Sequence, residues 1–229
     1  QFTKPDIADS LKRGETASRG GTRGSRLRKI LVVSEVAMAT VLLFGATLMF
    51  QTFMAIQEID LGFNPENVFT ASISTPAADY PDGEAVNRFH ETLMDRIEGL
   101  AGVDAVGAIN PLPLNFESYS QDYRIEAADT GRLMAGAFWA TPGYFDAAGM
   151  PVVRGRSFTN QDRSGAPKVV IVNRQMAEQH FPDQDSIGQT IYLNEGKDTF
   201  RPATIVGLVE NSKSFLLNED TSAQIYMPQ

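Results

Sequence analysis

Residues 30 to 53 read ILVVSEVAMATVLLFGATLMFQTF, and this run decides the organisation of everything around it. As an α-helix, 24 residues rise about 36 Å at ~1.5 Å each. A bilayer's hydrocarbon core is roughly 30 Å thick, so the run is long enough to cross it. A buried helix of a globular core usually carries a polar stripe, whereas Val36 to Phe50 is interrupted only by small or weakly polar residues. A secretory signal fits poorly, because 29 residues precede the run, the run exceeds the usual ~7 to 15-residue apolar core, and no small-x-small cleavage site follows. The reading is a transmembrane helix over 30–53. Its single charge, Glu35, lies about one turn inside, within reach of the interface by snorkelling or of another membrane helix.

Working outward, the charges on the two sides of this run are opposite in sign. Residues 1–29 hold eight basic groups against three acidic ones, a net of +5, with Arg23, Arg26, Arg28 and Lys29 directly before the apolar run. Residues 54–229 hold 12 basic and 24 acidic groups, and the next basic residue after the run is Arg88. Basic residues beside a membrane segment stay on the cytoplasmic side, so the amino terminus is expected inside and residues 54–229 outside. Residues 14–25 (GETASRGGTRGS) are rich in Gly, Ser and Thr, so the sequence predicts that 1–29 is a basic, flexible cytoplasmic connector. The acidic remainder lacks the clustered Lys and Arg of a nucleic-acid groove. With no Cys among 229 residues, disulfide frameworks, thiolate zinc sites and a Cys nucleophile are excluded.

Past Phe53 the apolar pattern continues as Met54, Ile56, Ile59 and Leu61, which predicts a helical stalk running to Gly62 as its C-terminal cap within a stalk-and-loop segment 54–66. Residues 67–229 read as mixed α/β. Val68 to Ser74 alternates like a strand, and Asp82 can cap a helix from Gly83 to about Leu100 whose Val86, Phe89, Leu93, Ile97 and Leu100 share a face. Val103 to Ile109 is the next strand, giving a β-α-β order. Further strands are expected at Tyr123–Ala127, Leu133–Ala140, Lys168–Val172, Gln189–Leu193, Ala203–Val209 and Ala223–Met227. Short helices are expected after Thr141 as N-cap, ending at Gly149, and from Asn173 to His180, stopped by Pro182.

The catalytic inventory is sparse. Of the two histidines, His90 is followed by Glu91, but Met94 occupies the position where a zinc protease needs its second His; both histidines are expected on helix surfaces. No G-x-x-x-x-G-K-[ST] occurs, so this chain forms no P-loop, and no G-x-S-x-G supplies a nucleophile elbow. Asp183 and Asp185 in PDQDS read as a turn before they read as a calcium loop. Phe138, Trp139, Tyr144 and Phe145 read as core packing before they read as a ligand cleft. The sequence therefore nominates no catalytic, cofactor-binding or metal-binding residue and no cofactor.

Five blocks, in order and spacing, carry a resemblance: LRKILVVSEVAMATVLLFGATLMFQTF (27–53), LGFNPENVFTASIS (61–74), ATPGYFDAAGMPVVRGRSFTNQD (140–162), VVIVNRQMAEQHFPDQDSIGQTI (169–191) and ATIVGLVE (203–210). Together they resemble an ABC-transporter permease with a MacB-like periplasmic core domain, of the FtsX-like group and similar to duplicated acidobacterial permeases. KPDIADSLKRG (4–14) resembles the connector between two halves of such a permease, which implies a fragment truncated at its C-terminus. The resemblance implies an extracytoplasmic core over 67–229 with a porter-like βαβ subdomain and a β-rich subdomain, in the cytoplasmic (inner) membrane. It also implies partners: a separate cytoplasmic ABC ATPase subunit, other permease membrane helices, the membrane itself and room for a periplasmic partner, with no nucleic acid. The implied function is a non-catalytic permease subunit that couples cytoplasmic ATP hydrolysis to export or mechanotransmission. Two alternatives are a single-pass sensor with an extracytoplasmic ligand-binding domain and a membrane-anchored hydrolase, the latter lacking a recognisable nucleophile, base and oxyanion set.

Overall fold

The computed structural model describes residues 21–76, 78–80, 82–115, 117–163, 165–214 and 222–229. The chain divides into two units, residues 1–58 and 59–229.

The first unit holds helix α1, Gly21–Gln57. Every residue from Gly24 to Gln57 is exposed, the apolar side chains included. Its hydroxyls are turned back onto the helix backbone, Thr40 Oγ1 to Val36 O (2.8 Å), Thr47 Oγ1 to Leu43 O (2.8 Å) and Thr52 Oγ1 to Leu48 O (3.0 Å), which satisfies them without an external partner. Two expectations are corrected here. Residues 21–29 of the basic connector are helical rather than flexible, because extending an existing helix adds a hydrogen bond per residue and escapes the cost of a new nucleus. Residues 1–20 of that connector lie outside the described residues. At the other end the helix stops at Gln57, five residues short of Gly62, with Glu58 N bonding Met54 O at 3.3 Å. Gly62 serves a different purpose. At φ +75° it sits so close to the backbone of Asn211 that a Cβ would lie 2.0 Å from the Asn211 carbonyl oxygen.

The second unit is built on eight strands: β1 (Ile109–Asn110), β2 (Ser120–Arg124), β3 (Leu133–Ala140), β4 (Val152–Gly155), β5 (Val169–Asn173), β6 (Thr190–Asn194), β7 (Phe200–Val209) and β8 (Gln224–Pro228). Strand β3 pairs antiparallel with β2 on one edge and parallel with β8 on the other, so the path β3-β2-β6-β7-β5-β8 returns to β3 and the sheet closes on itself as a six-stranded barrel. Closure leaves no open edge among these six strands. β1 and β4 are short additions, on β3 and β7 respectively.

The period-2 alternation of the strands assigns each residue to one side of the wall. The inward face contributes Tyr123, Ala135, Val170, Val172, Ile191, Leu193, Ala203, Ile205 and Ile225, one contiguous buried cluster drawn from all six strands. Helix α4 (Arg174–His180) adds Met176 and Ala177 to it, followed by Phe181. The outward face of β3, β5, β7 and β8 contributes Phe138, Ala140, Ile171, Val209 and Tyr226 to a second cluster. The segment after β3, with the short helix α3 (Tyr144–Ala147), covers that cluster with Tyr144, Phe145, Met150 and Phe158. This layer approaches its neighbours at backbone distance. A Cβ on Gly107 would lie 2.3 Å from Tyr144 Cα, and one on Gly143 would lie 2.1 Å from Val106 O, so two glycines face each other where no side chain fits.

Helix α2 (Gly83–Glu98) matches its expectation, with Asp82 Oδ1 accepting from Ala85 N at 2.7 Å as the N-cap. The strands expected beside it do not form ladders. Residues 68–74 lie in no strand, with Phe69 92% exposed, and of the run 103–109 only Ile109 enters one. Alternation reports which face a strand would bury, whereas a strand also needs a hydrogen-bonding neighbour, and among the described strand pairings these segments have one only at Ile109, opposite Ala140 of β3. Thr141 is likewise not the cap of α3. Its hydroxyl accepts from Ala108 N at 2.8 Å, and Gly143 takes the N-cap position with no side-chain hydrogen bond.

Candidate functional site

Three features stand out when side chains are followed from their elements outward. The first is α1. Its Gly24–Gln57 stretch has a window of mean hydropathy 2.0, none of which is buried within the molecule. A helix that served as the core of a soluble body would hide such a face, so this one is a candidate transmembrane helix.

The second is a polar cluster inside the apolar wall, centred on Asn173 at the end of β5. Asn173 is fully buried. Its Oδ1 accepts from Met176 N (3.1 Å), capping α4, and from Gln224 N (3.0 Å), while its Nδ2 donates to Ser222 O (2.9 Å). Gln224, also fully buried, donates from Nε2 to Ser212 O (2.8 Å) and accepts at Oε1 from Ser212 Oγ (3.1 Å) and Tyr226 OH (3.3 Å). Burial pushes the Tyr226 phenol up to about 12, so it keeps its proton and remains a donor. Every polar atom of the cluster is paired, as buried polar groups must be. It fastens Ser212 and Ser222 to the end of the barrel where α4 begins.

The third is at the other end of α4. His180, its last residue, places Nε2 2.7 Å from the Tyr123 hydroxyl, and the rings meet edge to face at 5.6 Å. Tyr123 belongs to the barrel interior, and burial pushes its phenol up to about 12. Desolvation in the same place lowers the His180 pKa, so the ring is held neutral. His180 is half-buried, with one edge of its ring in contact with the barrel wall. His90 is half-buried on α2, beside Phe89 and with Nδ1 3.2 Å from Gln229 Nε2.

The remaining sequence candidates resolve as structure. Phe138, Tyr144 and Phe145 are buried, with Phe145 packed edge-on to Tyr226 at 5.3 Å, while Trp139 is half-buried against Tyr119 at 5.8 Å. Asp185 makes the turn expected of it, accepting from Ile187 N at 3.0 Å, and pairs with Arg154 at 2.6 Å. The acidic groups with lowered pKa are those held by cations: Arg156 holds Asp162 down through a two-pronged hydrogen bond (2.7 and 2.9 Å), Arg174 does the same to Glu210, and Lys168 holds Glu195 down. Among the described residues no three His, Asp or Glu side chains group as a metal site.

Comparison with known proteins decides the affiliation: the model of the MacB-like periplasmic core domain matches residues 31–229. The chain belongs to that family. A MacB-like core thus begins within α1 and includes the whole barrel. Among curated relatives, the macrolide export ATP-binding/permease protein MacB of Neisseria gonorrhoeae is 29% identical over 77 residues, which is 34% of this chain and 11% of that protein. The uncharacterized ABC transporter permease YknZ of Bacillus subtilis is 25% identical over 151 residues, 66% of this chain and 34% of that protein. The chain therefore spans a minor part of each. Among solved structures, the periplasmic region of MacB from Actinobacillus actinomycetemcomitans is 18% identical, with a TM-score of 0.42 over 60% of this chain and 54% of that one. The extracellular domain of the noncanonic ABC-type transporter YknZ from Gram-positive bacteria is 21% identical, with a TM-score of 0.40 over 60% of this chain and 61% of that one.

Proposed function

We propose that this MacB-like chain is part of a non-catalytic permease subunit of an ABC-type transporter, whose extracytoplasmic body couples ATP hydrolysis by a separate cytoplasmic ATPase to export or mechanotransmission. The observation that carries the reading is the pairing, in one chain, of a MacB-like core with an apolar helix that buries none of its surface in the molecule. In this reading 30–53 crosses the cytoplasmic (inner) membrane, with the basic arm inside and the acidic body outside. No P-loop occurs in residues 1–229, and this reading assigns the nucleotide site to a separate ATPase subunit. In this account residues 67–108, carrying α2 and the exposed Phe69, Ala71 and Ile73, belong to the porter-like subdomain. The barrel forms the β-rich subdomain. Exposed apolar residues in period 2 favour this, because such a face calls for a cover.

The coupling reading is tested in the complete permease, with its ATPase, by measuring substrate export and ATP hydrolysis side by side. Ala55→Pro breaks a hydrogen bond in the last turn of α1 and kinks it, at about 3 kcal/mol or more; Ala55→Ser keeps the helix. Hydrolysis that continues without export in the Pro variant, with both retained in the Ser variant, is the expected result. Equal export by the two variants would reduce α1 to a passive tether and overturn the coupling.

A further inference from the structure

The cations at the start of α1 have so far served only to orient it. Arg26, Arg28 and Lys29 are exposed, and among the described residues none of them forms an ion pair. They stand on the same continuous helix as the apolar run and directly precede it, within a rise of about 5 Å at ~1.5 Å per residue. At about 100° per residue, Arg28 is turned roughly 200° from Arg26, whereas Lys29 comes back to within roughly 60° of Arg26, so the cations occupy two sides of the helix. At the opposite end of α1 the first charged residues are Glu58 and Asp60.

A discrete soluble anion needs donors that converge, and Arg28 faces away from Arg26, so one such anion cannot engage all three. What meets cations on two sides of one helix, at one depth beside an apolar run, is a layer of negative charge perpendicular to the helix axis. We infer that Arg26, Arg28 and Lys29 form a collar that binds the phosphodiester headgroups of anionic phospholipids of the phosphatidylglycerol type around α1. Placement of that layer in the cytoplasmic leaflet rests on the membrane reading proposed above. The collar's own chemistry does not. A juxtamembrane cation is worth roughly a fivefold gain in affinity for an anionic surface, so three together exceed what thermal mixing of lipids would erase. Beyond orienting the helix, the collar would fix its depth, since sliding outward would pull the cations from the phosphates and sliding inward would bring them into hydrocarbon.

The test uses the full chain in detergent micelles supplied with equimolar phosphatidylglycerol and phosphatidylcholine, with the retained lipids counted by native mass spectrometry. The wild-type chain is expected to retain phosphatidylglycerol at least roughly fivefold over phosphatidylcholine, and Arg26→Gln, Arg28→Gln and Lys29→Gln combined to bring the ratio close to parity. A second variant, Arg26→Lys with Arg28→Lys, keeps the charge and should keep the preference. Raised ionic strength should weaken it. Parity in the wild type, an undiminished preference in the Gln variant, or loss in the Lys variant would each overturn the collar. Competition by millimolar inorganic phosphate would show that the ligand is a free anion and would overturn the lipid assignment. The measurement involves neither orientation nor transport, so it can fail while the permease reading stands, and the reverse.

Discussion

Replacing Asn173 by Ala removes three interactions with one truncation. The cap of α4 is lost, worth about 1 kcal/mol. The Gln224 N–H and the Ser222 carbonyl both lose their partner, and at least the first is fully enclosed, so its desolvation goes uncompensated at about 1 to 3 kcal/mol. The total is about 3 kcal/mol, out of a stability that for an ordinary domain is ~5 to 15 kcal/mol. Urea denaturation can be followed through Trp139, the only tryptophan, which lies on β3 in the barrel wall. With an m-value of about 2 kcal/mol per molar urea, the midpoint should fall by roughly 1.5 M. Asn160→Ala, at an exposed asparagine with no side-chain hydrogen bond, is the control and should barely move it. A shift for Asn173→Ala no larger than the control's would refute the claim that this cluster holds the end of the barrel together.

Three further outcomes follow from the packing and the titration. Because the folded state lowers the His180 pKa, the unfolded chain takes up the proton first, so stability is fully present above the ordinary value of 6.5 and declines as pH falls below it. His180→Asn should flatten the pH dependence of the urea midpoint between about pH 7 and 5, ahead of the carboxylate titrations of Asp162 and Glu210, which lie lower. Met150→Ala, at a fully buried position in the outer cluster, should cost about 2 to 5 kcal/mol in the same denaturation. Gly143→Val should prevent native packing of the segment before α3, seen as loss of near-ultraviolet dichroism, since even its Cβ has only 2.1 Å to Val106 O.

The elements whose signals are local were legible in the sequence. Strand β3 falls at Leu133–Ala140 as its apolar pattern predicts, and α4 starts immediately after an Asn with the geometry of a cap. β2 lies at Ser120–Arg124 instead of Tyr123–Ala127, because Ser120, Gln121 and Asp122 are polar residues whose ladder partners on β3, Gly136, Ala135 and Met134, make them a strand. Closure of the barrel depends on β3 pairing with β8, more than 80 residues later, and no local pattern encodes that contact. The polar cluster left a trace that could have been read: Asn173 ends the apolar run VVIV, and Gln224 opens QIYM, two amides at the margins of strands that are otherwise buried. The Tyr123 to His180 contact left none, since a His at the end of a short helix followed by Phe-Pro looks like any exposed C-terminal turn.

The account stands on α1 separating an inner arm from an outer body, and the natural absence of cysteine makes that directly measurable. Single cysteines introduced as Ser25→Cys in the arm and Thr130→Cys in the body, both at exposed positions, can be probed with a membrane-impermeant maleimide on cells whose outer permeability barrier has been opened. The account predicts labelling of Thr130→Cys in intact spheroplasts and of Ser25→Cys only after lysis. Labelling of Ser25→Cys in intact spheroplasts, with Thr130→Cys protected until lysis, would contradict it.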